Sequence, residues 1–188
     1  MENKLYRLVF LTMVFFFAVG AQAQRRNSRY VEYINKYSDL AVEQMKLHKI
    51  PASITLAQGL LESGAGYSQL ARKSNNHFGI KATSSWIENG GKYLVYTDDR
   101  PNEKFCQYAN VGDSYEHHSQ FLKRNGRYAG LFQLSPDDYK GWTNGLQDAG
   151  YASSKQYAAT LQNIIEKNGL QKYDQMVMQE MKALGKSF

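Results

Sequence analysis

One cysteine, three prolines and no apolar stretch longer than the 13 residues of 8–20 leave several protein classes without support. A lone cysteine, Cys106, cannot close an intramolecular disulfide, and no Cys/His pair has zinc-ligand spacing. The prolines are too few, and the 15 glycines too irregular, for a collagenous or low-complexity chain. Thirteen apolar residues also fall short of the roughly 20 that a membrane-spanning helix needs. Basic residues outnumber acidic ones by 23 to 17, yet beyond Arg25-Arg26 they form no run, so a nucleic-acid-binding stripe is missing. What is there is 188 residues, 43% hydrophobic and 21% charged, which describes one folded domain of ordinary size.

Residues 1–23 read as a secretory signal. Lys4 and Arg7 supply the positive start, residues 8–20 the apolar core, and Ala21-Gln22-Ala23 the small residues that a signal peptidase recognises. Cleavage after Ala23 leaves 21 Lys+Arg against 16 Asp+Glu, a net charge of +5. The expected location is therefore outside the cytoplasm, in the periplasm or cell envelope or secreted beyond it, with no stable membrane anchor once the signal is removed. Diffuse positive charge there suits an acidic envelope polymer better than nucleic acid. The remaining chain is rich in tyrosine, whose flat apolar face and hydroxyl serve both half-buried cores and sugar-binding grooves.

Residues 24–29 read as a flexible lead-in. Val31, Ile34, Ala41 and Met45 recur at helical spacing up to about His48. Pro51 opens a second helix, apolar nearly all round and so expected to be buried, which ends at Glu62 with Gly64 as its left-handed stop. The period then shifts to two. Glu88-Asn89-Gly90-Gly91 predicts a hairpin turn between Trp86-Ile87 and Tyr93–Tyr96, and residues 105–108 a third short strand. Helices resume after Asn110, near Ser135-Pro136, and from Ser153 or Ser154 to Gly169. A tail over residues 174–188 has weak helical amphipathicity. The expected fold is α+β, mostly helical, with a small antiparallel hairpin lobe flanking a cleft. No metal or cofactor constellation is present, and a monomer is expected.

Glu62 carries the most suggestive chemistry. It ends an apolar helix, where loss of water and the negative end of the helix dipole both disfavour a charged carboxylate. A carboxyl kept protonated near neutral pH is what a general acid needs to protonate a glycosidic oxygen. The competing reading is an exposed glutamate in a fraying last turn. His118 reads as a structural histidine on a helix face, and Cys106 as a small buried hydrophobe without an activating neighbour.

Leu56-Ala57-Gln58-Gly59-Leu60-Leu61-Glu62-Ser63-Gly64-Ala65-Gly66, followed by Asn75-Asn76-His77-Phe78-Gly79-Ile80-Lys81, resembles the glucosaminidase domain of bacterial autolysins and flagellar peptidoglycan hydrolases. Phe105 with Tyr108, Ser114 through Leu122, Arg127-Tyr128 and Gly150-Tyr151-Ala152 extend the match over residues 30–173. The resemblance implies a lysozyme-like fold that hydrolyses the β-1,4 bond after N-acetylglucosamine in peptidoglycan glycan strands. It also implies Glu62 as general acid, and Tyr151 as a cleft tyrosine that holds the N-acetyl sugar. Asn76, Phe78 and Gly79 would line or brace the same cleft. Phe78 reads equally well as a core aromatic.

The second carboxylate departs from the family pattern. Many members carry Glu two places after a Thr in the hairpin region; here Tyr96-Thr97-Asp98-Asp99 places Asp99 at that position, one methylene shorter. Asp99 as a water-activating base tolerates a wider carboxyl separation than a nucleophile does. Attack by the substrate's own acetamido oxygen is the alternative, and Glu88 and Glu103 are competing acids. Two other functions remain open from sequence: muramidase or lytic transglycosylase chemistry on the neighbouring bond, and a non-catalytic peptidoglycan-binding envelope protein.

Overall fold

The computed structural model describes residues 28–97 and 101–186. Helix α1 covers residues 28–48, so it already includes Ser28 and Arg29 of the expected lead-in. α2 (Ala52–Glu62), α3 (Gln69–Ser74) and α4 (Ser84–Glu88) come next. A two-stranded antiparallel sheet joins β1 (Tyr93–Tyr96) to β2 (Glu103–Cys106). α5 (Val111–Arg124), a 3-10 helix (Gly126–Gln133), α6 (Tyr139–Asp148), α7 (Tyr157–Asn168) and α8 (Gln171–Ala183) complete the body. The architecture is the expected one, mostly helical with one small sheet. The signal segment lies outside the described residues. Among the described residues no helix is long and apolar enough to cross a membrane.

α2 is the buried axis. Every residue from Ala52 to Leu60 is buried, and the helix packs against α6, α7 and α8. Leu56, Leu60, Leu122, Leu146, Leu161 and Ile165 meet in one core. Pro51 sits at the N-cap rather than inside the first turn and provides no side-chain cap. Asp174, fully buried on α8, fills that role by accepting the Ser53 N–H at 2.8 Å. The C-terminal helix is thus bound into the axis.

The hairpin differs from the expectation. Trp86 and Ile87 are not in a strand; they belong to α4, which Thr83 caps by accepting the Trp86 N–H at 3.1 Å. Asn89 ends that helix and Gly90 turns the chain with φ of 81°. An Asn-Gly-Gly sequence satisfies a helix stop as well as a hairpin turn, because both need a left-handed residue. The cap at Thr83 decides between them. The two strands of the hairpin are β1 and β2, with Tyr93 facing Cys106 and Tyr96 facing Glu103 across the sheet.

On its other side β2 meets Lys81 in an isolated bridge, and Cys106 N–H reaches Ile80 O at 2.9 Å. The loop that carries Phe78 and Gly79 is thereby fastened to the sheet. Beneath α2, the Tyr33 hydroxyl lies 2.8 Å from the Tyr115 hydroxyl and 2.9 Å from His77 Nδ1. That explains Gly59 in the middle of α2: a Cβ there collides with the Tyr33 hydroxyl.

Candidate active site

Glu62 is the last residue of α2, and the turn beyond it has a tightly specified shape. Gly64 N–H reaches Leu61 O and Ala65 N–H reaches Leu60 O, the two bonds of a Schellman ending, with Gly64 at φ of 57°. Ser63 ties the turn from inside, its hydroxyl donating to Gly59 O at 2.5 Å and accepting Gly66 N–H at 2.7 Å. The helix therefore ends without fraying, and Glu62 is half-buried at a fixed place.

The same device delivers Tyr151. Gly150, at φ of 70°, ends α6, with Gly150 N–H to Gln147 O and Tyr151 N–H to Leu146 O. The Tyr151 ring stacks on Tyr157 with centroids 5.5 Å apart and planes 20° apart. Tyr157 in turn donates its hydroxyl to Glu62 Oε1 at 2.9 Å and accepts from Gln58 Nε2 at 3.0 Å. Burial first, and the Glu62 carboxyl second, push the Tyr151 hydroxyl well above the usual phenol range, so it stays a neutral donor. For Tyr157, burial again leads in the same direction.

These groups open into a cleft of about 940 Å³. Glu62, Phe78, Gly79 and Tyr151 all line it, as do Trp86, His117, Phe121, Arg127 and Tyr128. Phe78 is at once a core aromatic and a cleft residue. Only 4% exposed, it stacks on His118 at 3.9 Å and 11° while reaching the cleft wall. Gly79, at φ of 65°, has nothing within 4 Å of a would-be Cβ, so its backbone borders open space.

Asn76 braces and does not line. It is 1% exposed, and its amide donates to Ile80 O and Cys106 O, both at 2.9 Å, while accepting Ile80 N–H at 3.1 Å. Asp99 lies outside the described residues, between β1 and β2 in sequence. Of the competing acids, Glu88 is exposed at the end of α4, and Glu103 is paired with Lys81 at 2.6 Å. His118 is fully buried and held down to about 3, chiefly by burial, which matches a neutral structural histidine. Burial likewise pushes the Cys106 thiol up to about 11, leaving no reactive thiolate.

Sequence reasoning missed Tyr157, which lies inside the helix expected from Ser153 or Ser154 to Gly169, and Trp86, which it read as a strand residue. No local signal marks Tyr157, since its partner is 95 residues away. The Asn89-Gly90-Gly91 stop was the signal for Trp86, read with the wrong periodicity.

Comparison with known proteins adds an independent line. Residues 38–170 match the Glucosaminidase family, described as mannosyl-glycoprotein endo-beta-N-acetylglucosaminidase. The exo-glucosaminidase LytG of Bacillus subtilis is 30% identical over 161 residues, covering 78% of this chain and 53% of LytG. The peptidoglycan hydrolase FlgJ of Vibrio parahaemolyticus is 33% identical over 145 residues, covering 72% of this chain and 46% of FlgJ. The chain thus spans about half the length of these curated relatives. Among solved structures, the glycoside hydrolase domain of Salmonella typhimurium FlgJ superposes with a TM-score of 0.63 at 29% identity, covering 82% of this chain and 96% of that domain. The catalytic domain of the Listeria monocytogenes autolysin Auto gives 0.66 at 28% identity, covering 77% of this chain and 87% of Auto's. With a match that spans the whole cleft, from the helix of Glu62 to the turn of Tyr151, the chain belongs to the glucosaminidase family.

Proposed function

We propose that this chain is an exported glycosidase that hydrolyses the β-1,4 bond after N-acetylglucosamine within peptidoglycan strands, with Glu62 as general acid. The observation that carries the reading is the Glu62 carboxyl, fixed at the cleft wall by the Tyr157 hydroxyl beside the Tyr151 ring. A carboxyl so placed delivers its proton to the glycosidic oxygen as the C–O bond breaks, and the leaving sugar departs as an alcohol. The carbocation-like sugar is captured by water that gives its proton to Asp99, or by the substrate's own acetamido oxygen, giving an oxazolinium ring that water then opens at the anomeric carbon as the Glu62 carboxylate takes back a proton. Tyr151 offers a neutral hydroxyl and a ring edge to the N-acetyl group. Export rests on the signal pattern of residues 1–23.

Digestion of purified sacculi, followed by borohydride reduction and mass spectrometry, tests this reading. The expected fragments carry N-acetylglucosamine at the reducing end. A muramic reducing end or its anhydro form means muramidase or lytic transglycosylase chemistry on the neighbouring bond, and no fragments means a non-catalytic binder. Because the Bacillus relative is named an exo-enzyme, the size distribution also matters: oligosaccharides indicate internal cleavage and monosaccharides terminal cleavage. Glu62→Gln should fold normally and lose about 10²–10⁴-fold in turnover. A variant that keeps more than about a tenth of wild-type activity removes Glu62 from the role.

A further inference from the structure

On the small-lobe wall of the cleft sits a group of residues that the chemistry at Glu62 does not use. Trp86, on α4, stacks against His117 of α5 with centroids 5.0 Å apart and planes 11° apart. Its indole Nε1 donates to Lys92 O at 2.8 Å, which holds the ring against the turn leading into β1. The Tyr108 hydroxyl lies 2.8 Å from His117 Nδ1, and the Tyr108 ring meets Trp86 edge-on at 5.7 Å. Trp86 and His117 both line the cleft.

Gly91 completes the arrangement. Its φ is not in the left-handed region, so its backbone does not require glycine. What requires it is the tryptophan: a Cβ at Gly91 collides with indole atoms Cε2 and Nε1. A half-buried tryptophan, fixed by a ring stack, a hydrogen bond and a glycine notch, keeps its aromatic surface in one orientation at the cleft. Pre-organised aromatic surface is what binds the apolar face of a sugar ring at little entropic cost.

We infer that Trp86, held by His117 and Gly91, is a saccharide-binding residue of the cleft. It takes an N-acetylated amino-sugar ring of the strand and at the same time fastens the small lobe to the helical body. The inference rests on the proposed function for its ligand class, but not on Glu62 being the acid. Trp86 bridges α4 to α5, so it sets the position of the small-lobe wall relative to the Glu62 wall. Loss of the ring removes a sugar contact and loosens that spacing together.

The chain itself supplies the reporter. It has two tryptophans, and the other, Trp142, is buried in the core at 1% exposure. In full-length Glu62→Gln protein, titration with an N-acetylglucosamine tetramer should produce a saturable change in tryptophan emission. Trp86→Phe should abolish that change, whereas Trp142→Phe should leave it. In the active chain, Trp86→Ala should raise KM for soluble glycan strands about tenfold, with a smaller fall in kcat, and Trp86→Tyr should restore most of it. Gly91→Ala should reproduce the KM defect in the wild-type background and add almost nothing to Trp86→Ala, because the colliding ring is gone. An emission change that survives Trp86→Phe overturns the inference. So does a Gly91→Ala defect of equal size with and without Trp86. If sacculi are not digested while Trp86 still responds to the tetramer, the hydrolase reading fails and this site stands. If sacculi are digested and Trp86 is silent, the reverse holds.

Discussion

The Tyr157 hydroxyl donates to Glu62 Oε1 at 2.9 Å, tying the end of α2 to the start of α7 across 95 residues. Because Tyr157 also accepts from buried Gln58, its hydroxyl has one orientation left, toward the carboxyl. Tyr157→Phe keeps the ring that stacks on Tyr151 and removes the hydroxyl that donates to Glu62 and accepts from Gln58. A hydrogen bond to a charged or reacting carboxyl is worth about 1.5–3 kcal/mol. Turnover of glycan strands should fall about ten- to a hundredfold, with KM little changed. Steady-state kinetics decide it, and unchanged kcat would show that Glu62 is positioned without Tyr157.

Tyr151 separates binding from folding. Its ring is half-buried against Tyr157, so Tyr151→Ala should cost stability only modestly, on the order of 1–2 kcal/mol. The loss in kcat/KM should be much larger, about a hundredfold, if the ring contacts the N-acetyl sugar. Tyr151→Phe isolates the hydroxyl and should melt at the wild-type temperature. Parallel losses in melting temperature and activity would assign Tyr151 to the core.

Asp99 offers a stereochemical test. As a water-activating base, it predicts that Asp99→Asn abolishes most turnover while strand binding persists, and that the first anomer seen by NMR is inverted. Asp98→Asn should then have little effect, and Asp99→Glu should retain or raise activity. A retained anomer with a mild Asp99→Asn phenotype assigns the capture step to the substrate's acetamido group.

Asp174 and His118 drive stability against pH in opposite directions. Asp174 caps α2 from α8, and burial pushes its carboxyl up from 3.8 to about 6 despite the Ser53 N–H it accepts. Between those values the folded state holds a proton that the unfolded state has lost, so stability falls as pH rises from about 4 to about 6. His118 works the other way. Burial lowers its imidazole from 6.5 to about 3, so its contribution is present above about 6.5 and is lost as pH falls below it. Asp174→Asn keeps an acceptor for Ser53 and removes the buried charge. It should gain on the order of 1–3 kcal/mol at pH 7–8 and nothing near pH 4. His118→Phe should flatten the acid limb. Melting curves across pH 4–8 that run parallel to wild type for either variant would refute that assignment.

The sequence by itself determined what depends on neighbours within a few residues. The apolar run of α2, Pro51 before it and Gly64 after it specify a buried helix that ends at Glu62, because period, cap and left-handed stop are all local. Tyr151 was legible only through the resemblance carried by Gly150-Tyr151-Ala152, and the structure adds that Gly150 makes the turn that presents it. Where local signals are degenerate, sequence reasoning failed: Asn89-Gly90-Gly91 serves a helix stop or a hairpin equally, and the Thr83 cap made it the former. Only the tertiary structure decided that Tyr157 holds Glu62, that Asp174 caps α2, and that Trp86 meets His117 at the cleft wall. Each is a contact between elements far apart in the chain, so its partner is chosen by how helices and sheet pack around α2. Side-chain chemistry names which groups are able to act, and packing selects the few that meet.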